Sequence, residues 1–267
     1  MKFPHYRLLH LSRTVLTIWF AIALAAPTPS AGAEIKILCS RTMNHVLDGL
    51  ADAFQRKSEH KITRSLAVPN EIRRRLASGE SADVIMSGGP LIGDLVQQGM
   101  IAPSDKVVLA RVGIGVAVRA GAAKPDIGSV EAFKRTLLAA KSIVYTDPAS
   151  GGGSGVHFEK VLDRLGIAKE VKAKSIKNGQ AATKPSAEFV ARGEAELGIQ
   201  YISEIVEFPG TELLGPFPAE LQTTNVIYAG ILKTAPHRDA AMALFKFLTS
   251  PDAAAAIKAA GMDPGGL

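Results

Sequence analysis

The chain has 267 residues, 47% of them hydrophobic and 21% charged, which is enough for two lobes or one large domain. Its 31 basic and 25 acidic residues give a formal net charge of +6. Without the three basic residues of the N-terminal segment 1–33 the charge is +3, a mild bias that suits a small anionic ligand. The densest basic run is Arg73, Arg74 and Arg75, which is typical of the exposed face of a short helix, so a basic stripe for nucleic acid is excluded.

The N-terminal segment has the pattern of a secretory signal peptide. Three basic residues precede an apolar run at residues 14–27, and the small residues Ala31 and Ala33 stand at both positions that a signal peptidase recognises. The sequence therefore predicts a signal peptide over residues 1–33, cleaved after Ala33, and a periplasmic mature protein. The apolar run is short for a bilayer span, and no transmembrane segment is predicted in the mature chain.

From Glu34 onwards, strand patterns and helix patterns alternate with short connections. Three strands are predicted, each followed by a helix, at residues 35–39, 61–67 and 82–86. Thr42 opens the first of these helices, Asn70 caps the second and Pro90 starts the third. Cys39 is the single cysteine, which excludes an intramolecular disulfide, and we expect it to be buried at the end of the first strand. This alternation is typical of a parallel α/β sheet.

The rest of the chain predicts a second lobe and two connections to it. A long run of β-branched and small residues at 107–119 suits a strand that crosses between lobes, and residues 223–232 are a candidate for the crossing back. The remaining predicted elements are strands at 171–177 and 197–201 and helices at 130–140, capped by Ser129, at 185–193, from Pro236, and from Ser250 to Gly261. We therefore expect residues 34–111 and 224–267 to form lobe 1 and residues 112–223 to form lobe 2.

The stretch at residues 142–165 combines a strand, three consecutive glycines and a helix that Gly166 ends. The N–H groups of a first helical turn lack partners within the helix and carry partial positive charge, and glycines let such a backbone approach a ligand. Ser154 is the expected N-cap. A P-loop is excluded because Gly155 is not followed by Lys and a hydroxyl residue. The stretch predicts a neutral anion site; the alternative is a flexible glycine-rich connection.

Several polar residues stand where strands of the predicted sheets end. Ligands of open α/β sheets bind at the carboxyl ends of the strands, against helix N-termini. We therefore expect four such ends to face one cleft between the lobes, at Thr42, at Asn70, at residues 153–154 and at Thr183. Tyr201, at the end of an apolar strand, is either a core residue or a ligand contact.

The chain also resembles a known family. It contains, in order, the segments IKILCSRTMNHVLDGLADAF, LASGESADVIMSG, VYTDPASGGGSGVHFEKVLDRLGI, VARGEAELGIQY and FLTSPDAAAAIKAAGM. This order and wording resemble the periplasmic molybdate-binding proteins of ABC transporters, over essentially the whole mature chain. The resemblance implies a type II periplasmic-binding-protein fold, in which two lobes, each a mainly parallel sheet flanked by helices, are joined by two crossing strands. It also implies molybdate or tungstate as the ligand and an inner-membrane ABC permease as the partner.

In that family, neutral hydroxyl and backbone N–H groups hold a tetrahedral dianion. The donors that the resemblance implies in this sequence are the hydroxyls of Thr42 and Tyr201 and two backbone N–H groups, one from Gly153 or Ser154 and one from about Thr183. Two further positions depart from the family. Asn70 stands where a serine is usual, and Arg41 precedes Thr42 where a small residue is expected. The glycine loop is also one residue longer.

These departures leave a second ligand class open. An inward Arg41 would favour a carboxylate or phosphate, and a longer loop suits a larger guest, so the alternative is an organic or phosphorylated anion, bound for uptake or as a sensor's receptor. An exposed Arg41 is an equal interpretation. The sequence contains no evident nucleophile and base or carboxylate pair, so we expect no enzyme activity. Its histidines lack metal-ligand spacing, and no metal or cofactor is predicted.

Overall fold

The computed structural model describes Met1, residues 32–181 and residues 183–265. The chain divides into two units, Met1–Ala31 and Gly32–Leu267, and the second unit carries the fold. Residues 2–31, which hold most of the predicted signal peptide, lie outside the described residues.

Ten strands of the described residues join in one sheet. They are β1 (Glu34–Cys39), β2 (Lys61–Leu66), β3 (Val84–Gly88), β4 (Ile101–Arg119), β5 (Ile143–Thr146), β6 (Ser175–Asn178), β7 (Leu197–Tyr201), β8 (Thr211–Pro216), β9 (Thr224–Leu232) and β10 (Asp263–Pro264). Their order is β2-β1-β3-β9-β4-β7-β5-β6, and β8 and β10 also pair with β4. The α/β class predicted from the alternating pattern is confirmed.

The sheet contains two groups of parallel strands. The first parallel group is β2-β1-β3 and the second parallel group is β7-β5-β6. The long strand β4 links them: it pairs antiparallel with β9 as far as Gly113, and with β7 and β8 from Ile114 onwards. Strand β9 pairs with β3 and β4. The lobe boundaries given above stay a prediction.

Ten α-helices of the described residues flank the sheet. They are α1 (Asn44–Gln55), α2 (Pro69–Ala77), α3 (Gly89–Gln97), α4 (Val130–Ala139), α5 (Gly153–Leu165), α6 (Ala168–Lys172), α7 (Ser186–Ala191), α8 (Ile202–Val206), α9 (Arg238–Leu248) and α10 (Pro251–Ala259). Short 3-10 turns at Arg41–Met43 and Pro148–Ser150 precede α1 and α5. Most helices bury one apolar face; in α1 this face is Val46, Leu47, Leu50 and Phe54.

Three of the predicted helix boundaries are confirmed in their hydrogen bonding or backbone conformation. The Ser129 hydroxyl accepts a hydrogen bond from the N–H of Ala132 at 3.2 Å, and the Ser250 hydroxyl accepts one from the N–H of Ala253 at 3.4 Å. Gly166 ends α5 with a left-handed φ of 67°, a conformation that costs glycine little because it has no Cβ. Local chemistry therefore determines these boundaries.

Two other predicted caps were wrong. Asn70 is the second residue of α2, because Pro69 takes the first position, where its missing N–H would have had no helical partner. Helix α5 has Gly152 as its N-cap, so Ser154 lies within the first turn and is buried. Both side chains therefore remain available for contacts other than capping.

The prediction also missed three elements between β5 and the return strand β9. Residues 168–172 form α6 rather than the start of a strand, because Val171 packs into the core from a helix, and β6 begins only at Ser175. Helix α8 and strand β8 were not predicted either. Strand β8 exists because it pairs with the far end of β4, a contact that local sequence does not specify.

The predicted burial of Cys39 is confirmed. Its side chain is fully buried, and burial raises the pKa of the thiol to about 12, which keeps it protonated. No single described helix has both the length and the apolar composition of a membrane span. Helices α9 and α10 have that length and apolar composition only when they are taken together, and they are bent by 71° at their junction.

Candidate functional site

A cleft lies where the carboxyl ends of β1, β3, β5 and β7 approach one another. Its cavity volume is about 110 Å³. One wall comes from the first parallel group, through the turn after β1, the start of α2 and the end of β3. The other comes from the second parallel group, through Thr146, the glycine loop and Tyr201. This is the position predicted from the topology of open α/β sheets.

The glycine loop brings the N-terminus of α5 into the cleft. Gly151, Gly152, Gly153 and Ser154 line it, and the first N–H groups of this helix have no intrahelical acceptors. A Cβ at Gly153 would collide with the Tyr201 hydroxyl. The backbone and the tyrosine therefore approach as closely as they do only because residue 153 is glycine.

Tyr201 presents a protonated hydroxyl at this helix end. It is 8% exposed, and burial, with a smaller effect of the neighbouring Glu204, raises the pKa of its hydroxyl well above the usual range. A hydroxyl that does not ionise can donate a hydrogen bond to an anion at any physiological pH.

Two serine hydroxyls of the opposite wall have unused hydrogen-bonding capacity. Ser40 precedes the turn at Arg41–Met43, and Ser87 lies near the end of β3; both are buried and both line the cleft. Within the described part of the chain, neither hydroxyl oxygen has a hydrogen-bond partner. Because buried polar groups are nearly always paired in folded proteins, these hydroxyls are suited to contact a bound ligand.

Arg41 is one of the residues that line the cleft. Its side chain is 15% exposed, and its guanidinium lies 3.8 Å from the carboxylate of Glu207. The guanidinium therefore forms an ion pair with Glu207, and a contact between Arg41 and a ligand stays a prediction.

Glu204 is one of the cleft residues that the sequence interpretation missed. It projects from α8, is 8% exposed, and its Oε1 accepts a hydrogen bond from the Thr42 hydroxyl at 2.8 Å. Burial raises the pKa of its carboxyl to about 7; the bond from Thr42 acts in the opposite direction. The sequence does place a Glu three residues after Tyr201, but α8 was not predicted, so this position could not be assigned to the cleft.

Asn70 joins the two walls across the cleft. Its side-chain Nδ2 donates to the carbonyl of Ala149 at 2.8 Å, and its Oδ1 accepts from Arg73 at 2.7 Å. Arg73 also donates to Asp94 at 2.6 Å and lines the cleft, although its side chain is 34% exposed. Arg74 on the same helix is exposed, as predicted. Asn70 is itself outside the cleft lining, and a ligand contact for it stays a prediction.

The structure brings most predicted site residues together, though not all. Arg41, Thr42, Gly153, Ser154 and Tyr201 line the cleft. Thr183 does not line it: its side chain is exposed and its N–H donates to the carbonyl of Gln180 at 3.0 Å. The cleft residues that were not predicted include Ser40, Arg73, Ser87, Glu204 and Asn225. No group of three or more His, Cys, Asp or Glu side chains that could hold a metal ion occurs among the described residues.

Two groups of parallel strands with a ligand-sized cleft at their carboxyl ends define a two-lobed binding protein. The model of one protein family, the bacterial extracellular solute-binding proteins, matches residues 35–263. The chain belongs to this family. Membership of an extracellular family agrees with the predicted periplasmic location, whereas the cleavage site stays a prediction.

The chain is also similar to a protein that is named as an enzyme. It is 34% identical over 258 residues to a protein of Pseudomonas sp. named aconitate isomerase, a match that covers 93% of this chain and 96% of the relative. The two proteins therefore share their fold over nearly their full lengths.

Solved structures with the same fold bind different ligands. The periplasmic molybdate-binding protein of Azotobacter vinelandii has a TM-score of 0.73 at 21% identity, covering 85% of this chain and 98% of that one. The sulfate-binding protein SubI of Mycobacterium tuberculosis has a TM-score of 0.69 at 18% identity, covering 87% of each chain. At these identities the similarity establishes the fold, that of type II periplasmic binding proteins, and leaves the ligand open.

Proposed function

We propose that the cleft binds a small organic anion that carries more than one carboxylate. The observation that carries this proposal is the mixed character of the wall. It combines neutral donors at the N-terminus of α5 and at Tyr201, the guanidinium of Arg41, and the carboxyl of Glu204. An extended anion can direct its carboxylates to the donors and the cation, and its uncharged carbon chain to Glu204.

Molybdate and tungstate suit this wall less well. A tetrahedral dianion is negatively charged on every side, and an ionised carboxyl facing it costs free energy. The hydroxyl of Thr42, which the family resemblance assigns to the oxyanion, donates its one proton to Glu204, so its oxygen can only accept further bonds. Either metal oxyanion would occupy the same cleft without a further cofactor, and both remain competing ligands in the test below.

As an exported solute-binding protein, the chain would deliver its ligand to an inner-membrane ABC permease. Closure of the two walls on the ligand is the motion that such delivery uses. The bond between Asn70 and the carbonyl of Ala149 supports this role, because it already links the walls at one point. A receptor role for the periplasmic domain of a sensor uses the same closed state and is the alternative partner.

The ligand class is tested by isothermal titration of the mature protein, unfolded and refolded to remove carried ligand. The titrants are molybdate, tungstate, sulfate, phosphate, and di- and tricarboxylates that include the cis and trans isomers of aconitate. We expect heat of binding with a carboxylate compound and none with the metal oxyanions. Binding of molybdate and tungstate, with no response to any carboxylate, would instead assign the protein to oxyanion transport.

Replacing Tyr201 with phenylalanine should weaken binding of the ligand so identified by about 1 to 3 kcal/mol, because one donor at the helix end is lost. Tyr145→Phe is the matched control. The Tyr145 hydroxyl is also buried and donates to Glu159 at 2.8 Å, outside the cleft, so this variant should keep its affinity. Equal affinities for wild type and Tyr201→Phe would remove Tyr201 from the site.

A second candidate function is isomerisation of an unsaturated tricarboxylate. Two observations favour it: the 34% identity to a protein named aconitate isomerase, and a carboxyl group in the cleft wall that can gain or lose a proton near neutral pH. From the sequence alone we expected no enzyme activity, and this candidate departs from that expectation. Both functions use the same bound carboxylate.

Conversion separates the two candidates. The purified protein is mixed with cis-aconitate or trans-aconitate, and the ratio of the isomers is followed by proton NMR. Approach to the same ratio from both sides, in proportion to protein concentration, supports the isomerase. Tight binding of a carboxylate without conversion supports transport or sensing alone.

A further inference from the structure

We infer that Glu204 moves a proton from one carbon to another in the bound carboxylate ligand, and that Thr42 is a positioning residue for the Glu204 carboxyl. This inference rests on the proposed carboxylate ligand and on its proposed isomerisation. It adds the identity of the side chain that performs the proton transfer.

The geometry favours Glu204 over the other carboxyl groups of the fold. Its carboxyl is buried yet lies in the cleft wall, three residues from Tyr201, whose hydroxyl adjoins the N-terminus of α5. The Thr42 hydroxyl, fixed by the turn at Arg41–Met43, donates to one oxygen at 2.8 Å. A ligand whose carboxylates bind at the helix end is therefore held with its carbon chain in the same cleft as Glu204.

The groups around Glu204 come from two parts of the chain. Tyr201 and Glu207 flank it on its own segment, and Thr42 and Arg41 face it from the turn after β1. Burial raises the pKa of the Glu204 carboxyl to about 7, Thr42 and Arg41 lower it, and Glu207 raises it. Near neutral pH the carboxyl is present in both forms, which is the condition for accepting a proton and returning it.

The step itself needs no oxidant, reductant or cofactor. In an unsaturated tricarboxylate with a CH₂ beside its double bond, the ionised carboxyl of Glu204 takes a proton from the CH₂. The C–H bond breaks, and its electron pair forms a new double bond to the neighbouring carbon. The electron pair of the original double bond moves to that bond's other carbon, where the adjacent carboxylate stabilises the negative charge. Glu204 then returns a proton to that carbon. Cationic and N–H donors on the ligand's carboxylates stabilise the intermediate charge.

This step predicts hydrogen exchange with solvent, which is measured separately from net isomerisation. The mature protein is incubated in D₂O with cis- or trans-aconitate, and deuterium entering the carbon chain is followed by NMR. We expect exchange by the wild type and a loss of roughly 100-fold or more in Glu204→Gln. Titration should show that Glu204→Gln binds the carboxylate within a few fold of wild type, and thermal melting checks its fold.

The matched control is Glu159→Gln. Glu159 also accepts a bond from a buried hydroxyl, that of Tyr145, at 2.8 Å, but it is not in the cleft lining. This variant should exchange at the wild-type rate. If Glu204→Gln does not fold, Glu204→Asp retains a shorter carboxyl and should show exchange reduced about tenfold with binding preserved.

Thr42→Val tests the positioning role through the pH dependence of the exchange rate, which a simple loss of activity would not shift. Removal of the hydroxyl removes a bond that favours the ionised carboxyl, so the rise of the exchange rate with pH should move to higher pH. Exchange at the wild-type rate in Glu204→Gln overturns the inference while leaving isomerisation in place. A wild type that binds a carboxylate without exchange overturns the inference but not the binding proposal, and absence of carboxylate binding overturns both.

Discussion

Replacing Gly153 with alanine should weaken binding of the cleft ligand by roughly 100-fold, the loss of about two hydrogen bonds. The added Cβ would occupy the position of the Tyr201 hydroxyl, so either the tyrosine or the first turn of α5 must move. Both are donors to the proposed anion, and either movement removes them from it. Titration of the variant with the carboxylate that binds the wild type measures the effect.

The same substitution at Gly93 provides the control. Gly93 lies inside α3, and a Cβ there would have no neighbour within 4 Å. Alanine is favoured over glycine in a helix interior, so Gly93→Ala should raise the free energy of unfolding by about 0.5 to 1 kcal/mol and leave the affinity unchanged. Equal affinities for Gly153→Ala and wild type would mean that the glycine loop does not contact the ligand.

The second large effect concerns stability as a function of pH. Raising the pH from about 5 to about 8 should reduce the stability of the wild type relative to Glu204→Gln by an amount on the order of 3 kcal/mol. Burial raises the pKa of the Glu204 carboxyl from 4.5 in the unfolded chain to about 7 in the folded protein. Between these values the folded state binds a proton that the unfolded state has released. The contribution of Glu204 to stability is therefore fully present below about pH 4.5 and is lost as the pH rises through about 7.

Chemical denaturation of both proteins across this pH range, without ligand, measures the difference in stability. Groups that titrate alike in the two proteins contribute equally to both curves, so their contributions cancel in the difference. Glu159→Gln should show no such difference above pH 5. Its carboxyl has a pKa lowered to about 2, because bonds from Lys172, Lys177 and Tyr145 outweigh the effect of burial, so its stabilisation is lost only as the pH falls below 4.5. Parallel stability curves for wild type and Glu204→Gln would show that Glu204 is not buried as described.

The sequence predicted those features that are encoded within a few residues. Helix α4 begins after Ser129 because a hydroxyl can accept a bond from the first turn, and α5 ends at Gly166 because the next turn needs a left-handed residue. The strand at Leu197–Tyr201 was predicted with its exact bounds from a run of buried residues. The glycine loop was likewise recognised as a helix N-terminus open to an anion.

The predictions failed where partners distant in sequence decide the outcome. Strand β8 forms because β4 offers it an edge, and Arg73 reaches the cleft wall because Asp94, in the next helix, binds its guanidinium. Such contacts have no signature in the neighbouring residues. Thr183 failed for a local reason: it was expected to offer its N–H to the cleft, but that N–H donates to the carbonyl of Gln180, three residues earlier.

The sequence by itself determined the α/β class, the alternation of strands and helices, and a cleft built from Thr42, the glycine loop and Tyr201. Only the tertiary structure decided which other chemical groups line that cleft. Thr42 and Glu204 are 162 positions apart along the chain, and no periodicity or motif relates them. Their bond exists because the turn after β1 packs against α8, the helix that follows β7, and burial at that contact is what raises the pKa of the carboxyl.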